Sequence, residues 1–404
     1  MKIAMVTIYP HEGVTVANVG GVGWHTRALA KSLVSRDGVH VLVLAQQLDG
    51  REEEKENGRI QIRRCWRPGA LFFLPLIREI RKKNPDVVHL QHELFLYGGI
   101  LSALMFPVLL AALRVSRHKI VVTLHGVSHP HDVDEQFVSL GGLKVPPVFV
   151  RCVLWALFRL IAEISHFQIV HDEVFKRIMV EGYGAKAERV VVIPLPYLYD
   201  QPRIVQEKEE AREALGIAHS FVALFFGFIS LYKGVQLLIE GFDLFRRDHP
   251  DSLLIIAGGP HPRLCDEPQY ISHYQGLKDR AIETLGDNLL WKGFVLEDEI
   301  EQVFGAADLC VLPYIKLLSC SGAAMHAMAM GVPLLVSEAL SPLFPNGCRS
   351  FGASAEDLRA ALSEFFTERD KHETGIPGDM DGCRPSNVSR ATYQLYEAIC
   401  GGHA

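Results

Sequence analysis

Short unbroken apolar runs alternate with helix-period segments along almost the whole chain. Residues 3–8, 40–44, 87–90, 120–124, 167–170 and 190–193 read as strands in the first half. Residues 222–226, 252–256, 289–291, 309–312 and 333–336 do so in the second. Helical periodicity fills the gaps, for example over 24–35, 174–181, 235–247 and 298–306. Strands apolar on both faces, each followed by a helix, belong to parallel sheets covered on both sides. At 404 residues the chain is too long for one core, so the pattern predicts an α/β protein of two doubly wound, Rossmann-like domains. The break falls in "PLPYLYDQPR" (194–203), where prolines interrupt the alternation, giving domains 1–196 and 203–384. "TGIPGDMDGCRPSN" (374–387) reads as a linker, and the amphipathic helix 386–400 lies beyond it.

Composition narrows the function. A 49% hydrophobic and 22% charged chain is globular rather than disordered. A net charge of −6 argues against a nucleic-acid partner. Eight cysteines without a C-x-x-C pair indicate neither a zinc knuckle nor a disulfide framework, which fits reduced thiols in a cytoplasm. "MKIAMVTIYP" is too short an apolar run for a signal peptide and reads as a first strand. Residues 94–113 are twenty without a charge, long enough for a membrane span. Gly98, Gly99 and Pro107 interrupt them and strand-like segments flank them, so a buried helix is the favoured reading.

Ligands of open α/β sheets bind beyond the carboxyl ends of the strands, and the motifs of this chain lie there. After the first strand, Gly20, Gly21 and Gly23 lead into a helix, where bare backbone approaches a phosphate or sugar. Asp49 after the second strand hints at a dinucleotide fingerprint, but the glycines stand too far from the strand end. His125 and Gly126 follow the fourth strand, placed to face an interdomain cleft. His129, His131 and Asp132 can be drawn as a metal site, yet a polar loop explains them better, and no metal or cofactor is expected. In the second half Gly227 and Lys233-Gly234 suit a diphosphate, the lysine as a point charge beside backbone amides. Gly259 and Val295 follow the next two strands. Finally "SCSGAAMHAMAMGVP" sets Ser319, Ser321 and Gly322 at a helix N-terminus. Such a terminus binds an anion without a cation, although serines there also simply cap the helix.

Taken in order, "GGVGWHTRALAKSL", "TLHG", "VVVIPLP", "LYKGVQLLIEGF", "LLIIAGGP", "WKGFVLEDEIEQVFGAADLCVLPY" and "AMAMGVPLLVSE" resemble the GT-B glycosyltransferases, in particular the GT4-like group 1 family. The resemblance implies two domains facing across a cleft, with the donor held by the second, the acceptor by the first, and helix 386–400 packed back on the first. It implies a nucleotide-sugar donor, UDP- or GDP-linked, a hexosyl group transferred with retention, and no required metal. Gly20, Gly21 and His125 would then lie near the sugar and Lys233 on the diphosphate. The chain also departs from the family. Phe228 stands where relatives carry an arginine, and Leu318 and His326 stand where they carry two glutamates. Backbone amides at Ser321 and Gly322 are expected to replace the lost contacts.

Between Arg59 and Lys83 lie eight basic residues against one acid, interleaved with Trp66, Leu71, Phe72, Phe73 and Leu74. Together with 145–161 this stretch suits a lipid-linked acceptor or peripheral attachment to an anionic membrane; a solvated helix face and a core helix explain it as well. The expected protein is thus a cytoplasmic glycosyltransferase acting on a glycan or lipid-linked acceptor in polysaccharide or glycolipid synthesis. The alternatives are a non-catalytic GT-B partner subunit and a nucleotide-sugar epimerase on the same architecture.

Overall fold

The computed structural model describes residues 1–11, 20–48, 53–56, 58–140, 145–197, 207–261, 264–344, 348–368 and 380–401. Asp49, the end of the 194–203 break and the 374–379 part of the linker lie outside the described residues.

Two sheets carry the architecture. The first runs in spatial order β3 (Glu53–Glu56), β4 (Ile60–Trp66), β2 (His40–Gln46), β1 (Lys2–Thr7), β5 (Val87–His92), β6 (Lys119–Leu124), β7 (Phe167–Val170) and β8 (Val190–Val192). Only β3 is antiparallel to its neighbour. The second is wholly parallel: β11 (Leu289–Trp291), β10 (Ser252–Ala257), β9 (Phe221–Phe226), β12 (Leu309–Leu312), β13 (Leu334–Ser337) and β14 (Arg349–Phe351). Around the first sheet lie α1 (Gly20–Val34), α2 (Phe73–Lys83), α3 (Ile100–Val115), α4 (Glu135–Leu140), α5 (Pro147–Ile164) and α6 (Glu173–Arg177). Around the second lie α7 (Lys208–Leu215), α8 (Val235–Asp248), α9 (Pro268–Leu285), α10 (Ile300–Gly305), α11 (Gly322–Ala329) and α12 (Ala355–Glu368), and α13 (Pro385–Gly401) ends the chain.

Each sheet buries both faces, and the two-residue period of its strands decides which side chain goes where. Val6 of β1 enters one core with Val88, Leu90 and Val122, while Ile3 and Met5 enter the other with Leu29, Leu33 and Val121. β9 divides likewise, with Val222 and Leu224 on one side and Phe221, Ala223 and Phe225 on the other. The last helix belongs to the first sheet's core. Val388, Leu395, Tyr396 and Ile399 of α13 are buried against Ile3 and Leu29, and Ser389 hydrogen-bonds Ser32 at 2.7 Å.

Three strands are absent from the sequence reading. β4 alternates buried and half-buried residues over Ile60–Trp66, but its basic residues made it read as a charged surface. In the structure Arg64 is 2% exposed and donates to the carbonyls of Tyr9, Gln46 and Pro10. Arg63 pairs with Glu79 at 3.1 Å, and Arg59 donates to the carbonyls of Val34 and Arg36. Of the expected basic surface Arg64 is therefore internal structure and Arg63 is half-buried, while Arg59 and Arg67 stay exposed together with Arg78, Arg81 and Lys82 of α2. β3 and β14 are short edge strands, where the apolar signal is weakest. The apolar segment 94–113 becomes α3, packed on the core through Phe106, Leu109, Leu110 and Leu113 yet exposing Leu101, Leu104 and Val108. Among the described residues no helix is long and apolar enough to cross a membrane.

Candidate functional site

Strand order reverses beside β1, between β2 and β5, and beside β9, between β10 and β12. At these points the loops diverge and leave a crevice. The two crevices face one another and enclose a cavity of about 1490 Å³ lined by both halves of the chain.

On the second-domain side, Gly227 (φ +117) follows β9, and the chain turns through Leu231–Lys233 into α8. A Cβ at Gly227 would lie 2.9 Å from the Lys233 ammonium, so a side chain there would displace the lysine. That ammonium also sits 5.6 Å from the centre of the Tyr314 ring. Burial lowers the Lys233 pKa to about 8, opposed in part by Glu93 of the first domain. The cation is thus poorly solvated, a state that an incoming anion relieves.

From β12 the chain passes through Leu318 and Ser319 into α11. Ser321 caps this helix: its hydroxyl accepts from the Ala324 amide at 3.2 Å and lies 3.0 Å from the Tyr314 hydroxyl. That hydroxyl is occupied, so the open feature of the terminus is backbone at Gly322, where a Cβ would meet nothing within 4 Å. Ser319, Gly259 and Val295 line the same cavity. Phe228 stacks on Phe294 at 6.3 Å and forms an aromatic wall beside Gly259. His326 is half-buried against Phe226 and Phe304, and desolvation lowers its pKa to about 4 and leaves it neutral.

On the first-domain side Gly20 and Gly21 line the cavity, but as the first turn of α1 rather than as a loop before a helix starting at Trp24. His125 follows β6 and is held on both ring nitrogens. Its Nε2 lies 2.7 Å from Gln91 Oε1, and its Nδ1 lies 3.2 Å from His171 Nε2. The Gln91 amide reaches His89, whose Nδ1 lies 2.6 Å from the Tyr396 hydroxyl of α13. Burial first, then the neighbouring histidines, hold the His125 pKa well below its ordinary value. At neutral pH this is a neutral, fixed hydrogen-bonding group.

The halves touch across the cleft. A Cβ on Gly126 would lie 2.6 Å from the Leu318 carbonyl oxygen, so only glycine permits this approach. Lys316, the one charged residue between Leu312 and Pro333, pairs with Asp134 at 2.6 Å and donates to the Asp132 carbonyl. The structure therefore brings Gly20, Gly21, His125, Gly227, Lys233, Gly259, Val295, Ser319, Ser321 and Gly322 around one cavity. It does not gather His129, His131 and Asp132 into a ligand set. Among the described residues the group of three ligating side chains is His25, His125 and His171. The sequence reading missed His25, His171, Gln91 and Phe294. For His171 a signal existed, because it follows β7 as His125 follows β6.

Two doubly wound domains closing on a shared cavity at their strand switch points define the GT-B class. Residues 19–197 match the model described as Glycosyltransferase Family 4, and residues 220–364 that described as Glycosyl transferases group 1. The chain belongs to this glycosyltransferase family. Among curated proteins it is 28% identical over 165 residues to mannosylfructose-phosphate synthase of Agrobacterium fabrum, covering 40% of this chain and 35% of that one. The chain matches only 30% to 45% of the length of its curated relatives. Among solved structures, sucrose-phosphate synthase of Thermosynechococcus elongatus superposes with a TM-score of 0.71 at 16% identity, covering 100% and 97% of the two chains. Anabaena HepE in complex with UDP-glucose gives 0.64 at 16% identity, covering 100% and 99%.

Proposed function

We propose that the chain transfers a hexosyl group from a UDP- or GDP-sugar to a glycan or lipid-linked acceptor at the cytoplasmic side of a membrane, in polysaccharide or glycolipid synthesis. The observation that carries this reading is the convergence of Lys233 and the open N-terminus of α11 at the β9/β12 switch point, opposite His125. A diphosphate placed there meets a desolvated cation and the unpaired amides of a helix start, both strongest where water is excluded. The base would lie along Phe228 and Phe294, and the sugar would extend towards Gly20, Gly21 and the neutral imidazole of His125. Negative charge growing on the leaving diphosphate is met by Lys233 and backbone rather than by a metal. The leaving phosphate then assists attack from the same face, with retention. The structural likeness to HepE bound to UDP-glucose supports the donor class.

The acceptor side favours lipid. Leu71, just before α2, and Leu74, Leu101, Phe149 and Trp155 on the adjoining helices α2, α3 and α5 are between 49% and 67% exposed, beside the exposed bases Arg78, Arg81 and Lys82. An apolar rim flanked by cations suits an anionic lipid surface. Salt-sensitive sedimentation with acidic liposomes tests this part separately.

The primary test is a thermal-shift panel of UDP, GDP, ADP, CDP and dTDP, followed by turnover of the matching sugar. A ligand at a hundred times its dissociation constant stabilises its domain by roughly 2.7 kcal/mol. One nucleotide standing out, with sugar transferred, supports the transferase. A second reading, a non-catalytic partner subunit, is favoured by Leu318 and His326, which replace carboxylates with an apolar group and a neutral ring. Absence of a shift with every nucleotide selects it.

A further inference from the structure

Three imidazoles from three elements meet in the cleft wall: His25 of α1, His125 after β6 and His171 after β7. Their ring centres are 4.9, 5.0 and 5.2 Å apart, and one nitrogen from each lies within 4.8 Å of the others. Three imidazoles on one tetrahedral ion, at metal–nitrogen distances of about 2.0–2.1 Å, place their ring centres roughly 5 Å apart. The three residues are 8%, 8% and 6% exposed, so the cluster is largely shielded from water.

The outer contacts are those a ligating histidine needs. His171 Nδ1 lies 3.0 Å from the Ile193 carbonyl, so that nitrogen carries the proton and Nε2 presents a lone pair inward. His125 Nε2 faces Gln91 Oε1, which by the same logic turns the lone pair of Nδ1 inward. These two nitrogens lie 3.2 Å apart, close to the edge of a coordination tetrahedron, and with both lone pairs inward they repel without a cation between them. Rotating the Gln91 amide would return a proton to that gap. It would not help His25, whose Nδ1 is buried without a hydrogen-bond partner. Leaving a buried imidazole nitrogen unpaired is costly, and a ligand to it recovers that cost.

We propose that His25, His125 and His171 bind one divalent transition-metal ion of the Zn²⁺ class, with its fourth coordination position open to the cleft. An all-imidazole set suits late first-row ions rather than Mg²⁺ or Ca²⁺, which take oxygen ligands. Under the transferase reading the sugar also approaches His125, so ion and donor compete and the ion acts as an inhibitor. That last clause rests on the proposed function; binding of the ion does not.

The test uses the full chain, stripped with a chelator and titrated with Zn²⁺ by calorimetry and with Co²⁺ by visible absorption. The expected result is one equivalent bound, an intense four-coordinate Co²⁺ spectrum, and at least tenfold weaker binding in His25→Gln and in His171→Gln. No saturable equivalent, or an octahedral Co²⁺ spectrum in the unaltered protein, overturns the proposal whatever the variants do. So does undiminished binding in folded His25→Gln, or loss of the equivalent in a His129→Ala/His131→Ala chain, which would place the ion on that exposed pair. Zn²⁺ binding without any nucleotide binding would sink the transferase reading and leave the ion site standing.

Discussion

Replacing Lys233 by methionine removes the one ammonium over Gly227 while retaining an unbranched chain of similar length. A charged hydrogen bond to a diphosphate contributes roughly 1.5–3 kcal/mol, so nucleoside diphosphate affinity at pH 7 should fall about 10- to 150-fold. The pH dependence is more diagnostic. Burial holds this lysine at about 8 instead of 10.5, a cost of about 3 kcal/mol for keeping it charged in the empty cleft. A bound diphosphate reverses that shift, so binding takes up a proton above pH 8, where the terminal phosphate is already dianionic. Affinity should then fall about tenfold between pH 7 and pH 9. The free protein should behave oppositely. A depressed lysine pKa means that the unfolded chain binds the extra proton, so stability rises with pH between about 8 and 10.5. Calorimetric titrations at pH 7, 8 and 9 read the affinity, and thermal midpoints over the same range, extended to pH 10, read the stability. The methionine variant should lose both slopes. A loss under threefold at pH 7, or an unchanged slope in the variant, would refute the assignment of the diphosphate to Lys233.

Gly126→Val drives a side chain into the Leu318 carbonyl, which lies 2.6 Å from the position of a Cβ. Because backbone cannot yield, the cleft should open, seen as a larger radius of gyration in solution scattering. Any transfer activity should fall by on the order of 10²-fold, as expected for ångström-scale misplacement. Gly322→Asp places a carboxylate at the start of α11, which favours the helix but repels an anion bound there. The thermal midpoint should hold or rise while nucleoside diphosphate affinity drops at least about tenfold, and a parallel loss of both would argue against the site. Tyr396→Phe leaves His89 Nδ1 buried without its 2.6 Å partner, costing about 1–3 kcal/mol. Calorimetry should show the first domain's midpoint lowered by several degrees with nucleotide binding on the second domain unchanged.

The fold was legible because parallel strands buried on both faces leave a run of apolar residues that few other structures need. β9, β10 and β12 were readable within a residue or two for that reason. β4 was not, because Arg64 puts a charged residue at one of its buried positions, where it satisfies carbonyls from other segments of the chain. A residue whose partners are backbone atoms far along the chain has no local signature. The glycines, Lys233 and His125 could be found since strand ends are where open sheets bind. His25 could not, since a histidine inside a helix reads as any amphipathic residue until the fold sets it against β6 and β7. Ser321 was legible as a cap, but the use of its hydroxyl by Tyr314 depends on a loop geometry that spacing does not specify.

The charge balance of the cleft narrows what the loss of two family carboxylates means. With Leu318 and His326 in their places, the second-domain wall loses two negative charges where a sugar and a ribose would lie, and His326 adds no positive one. Lys233 then acts with fewer acidic neighbours, Glu93 of the opposite domain being the one that supports its proton. Such a wall grips a diphosphate more readily and reads the sugar hydroxyls less strictly, because a carboxylate that accepts two hydroxyls discriminates epimers and a leucine does not. Under the proposed function, donor specificity would then reside in the base and in the first-domain wall of Gly20, Gly21 and His125. Donors sharing a base but differing at sugar hydroxyls should therefore bind within about tenfold of one another, corresponding to roughly 1.4 kcal/mol. A spread of several hundredfold would mean that backbone at Ser321 and Gly322 has taken over the lost readout.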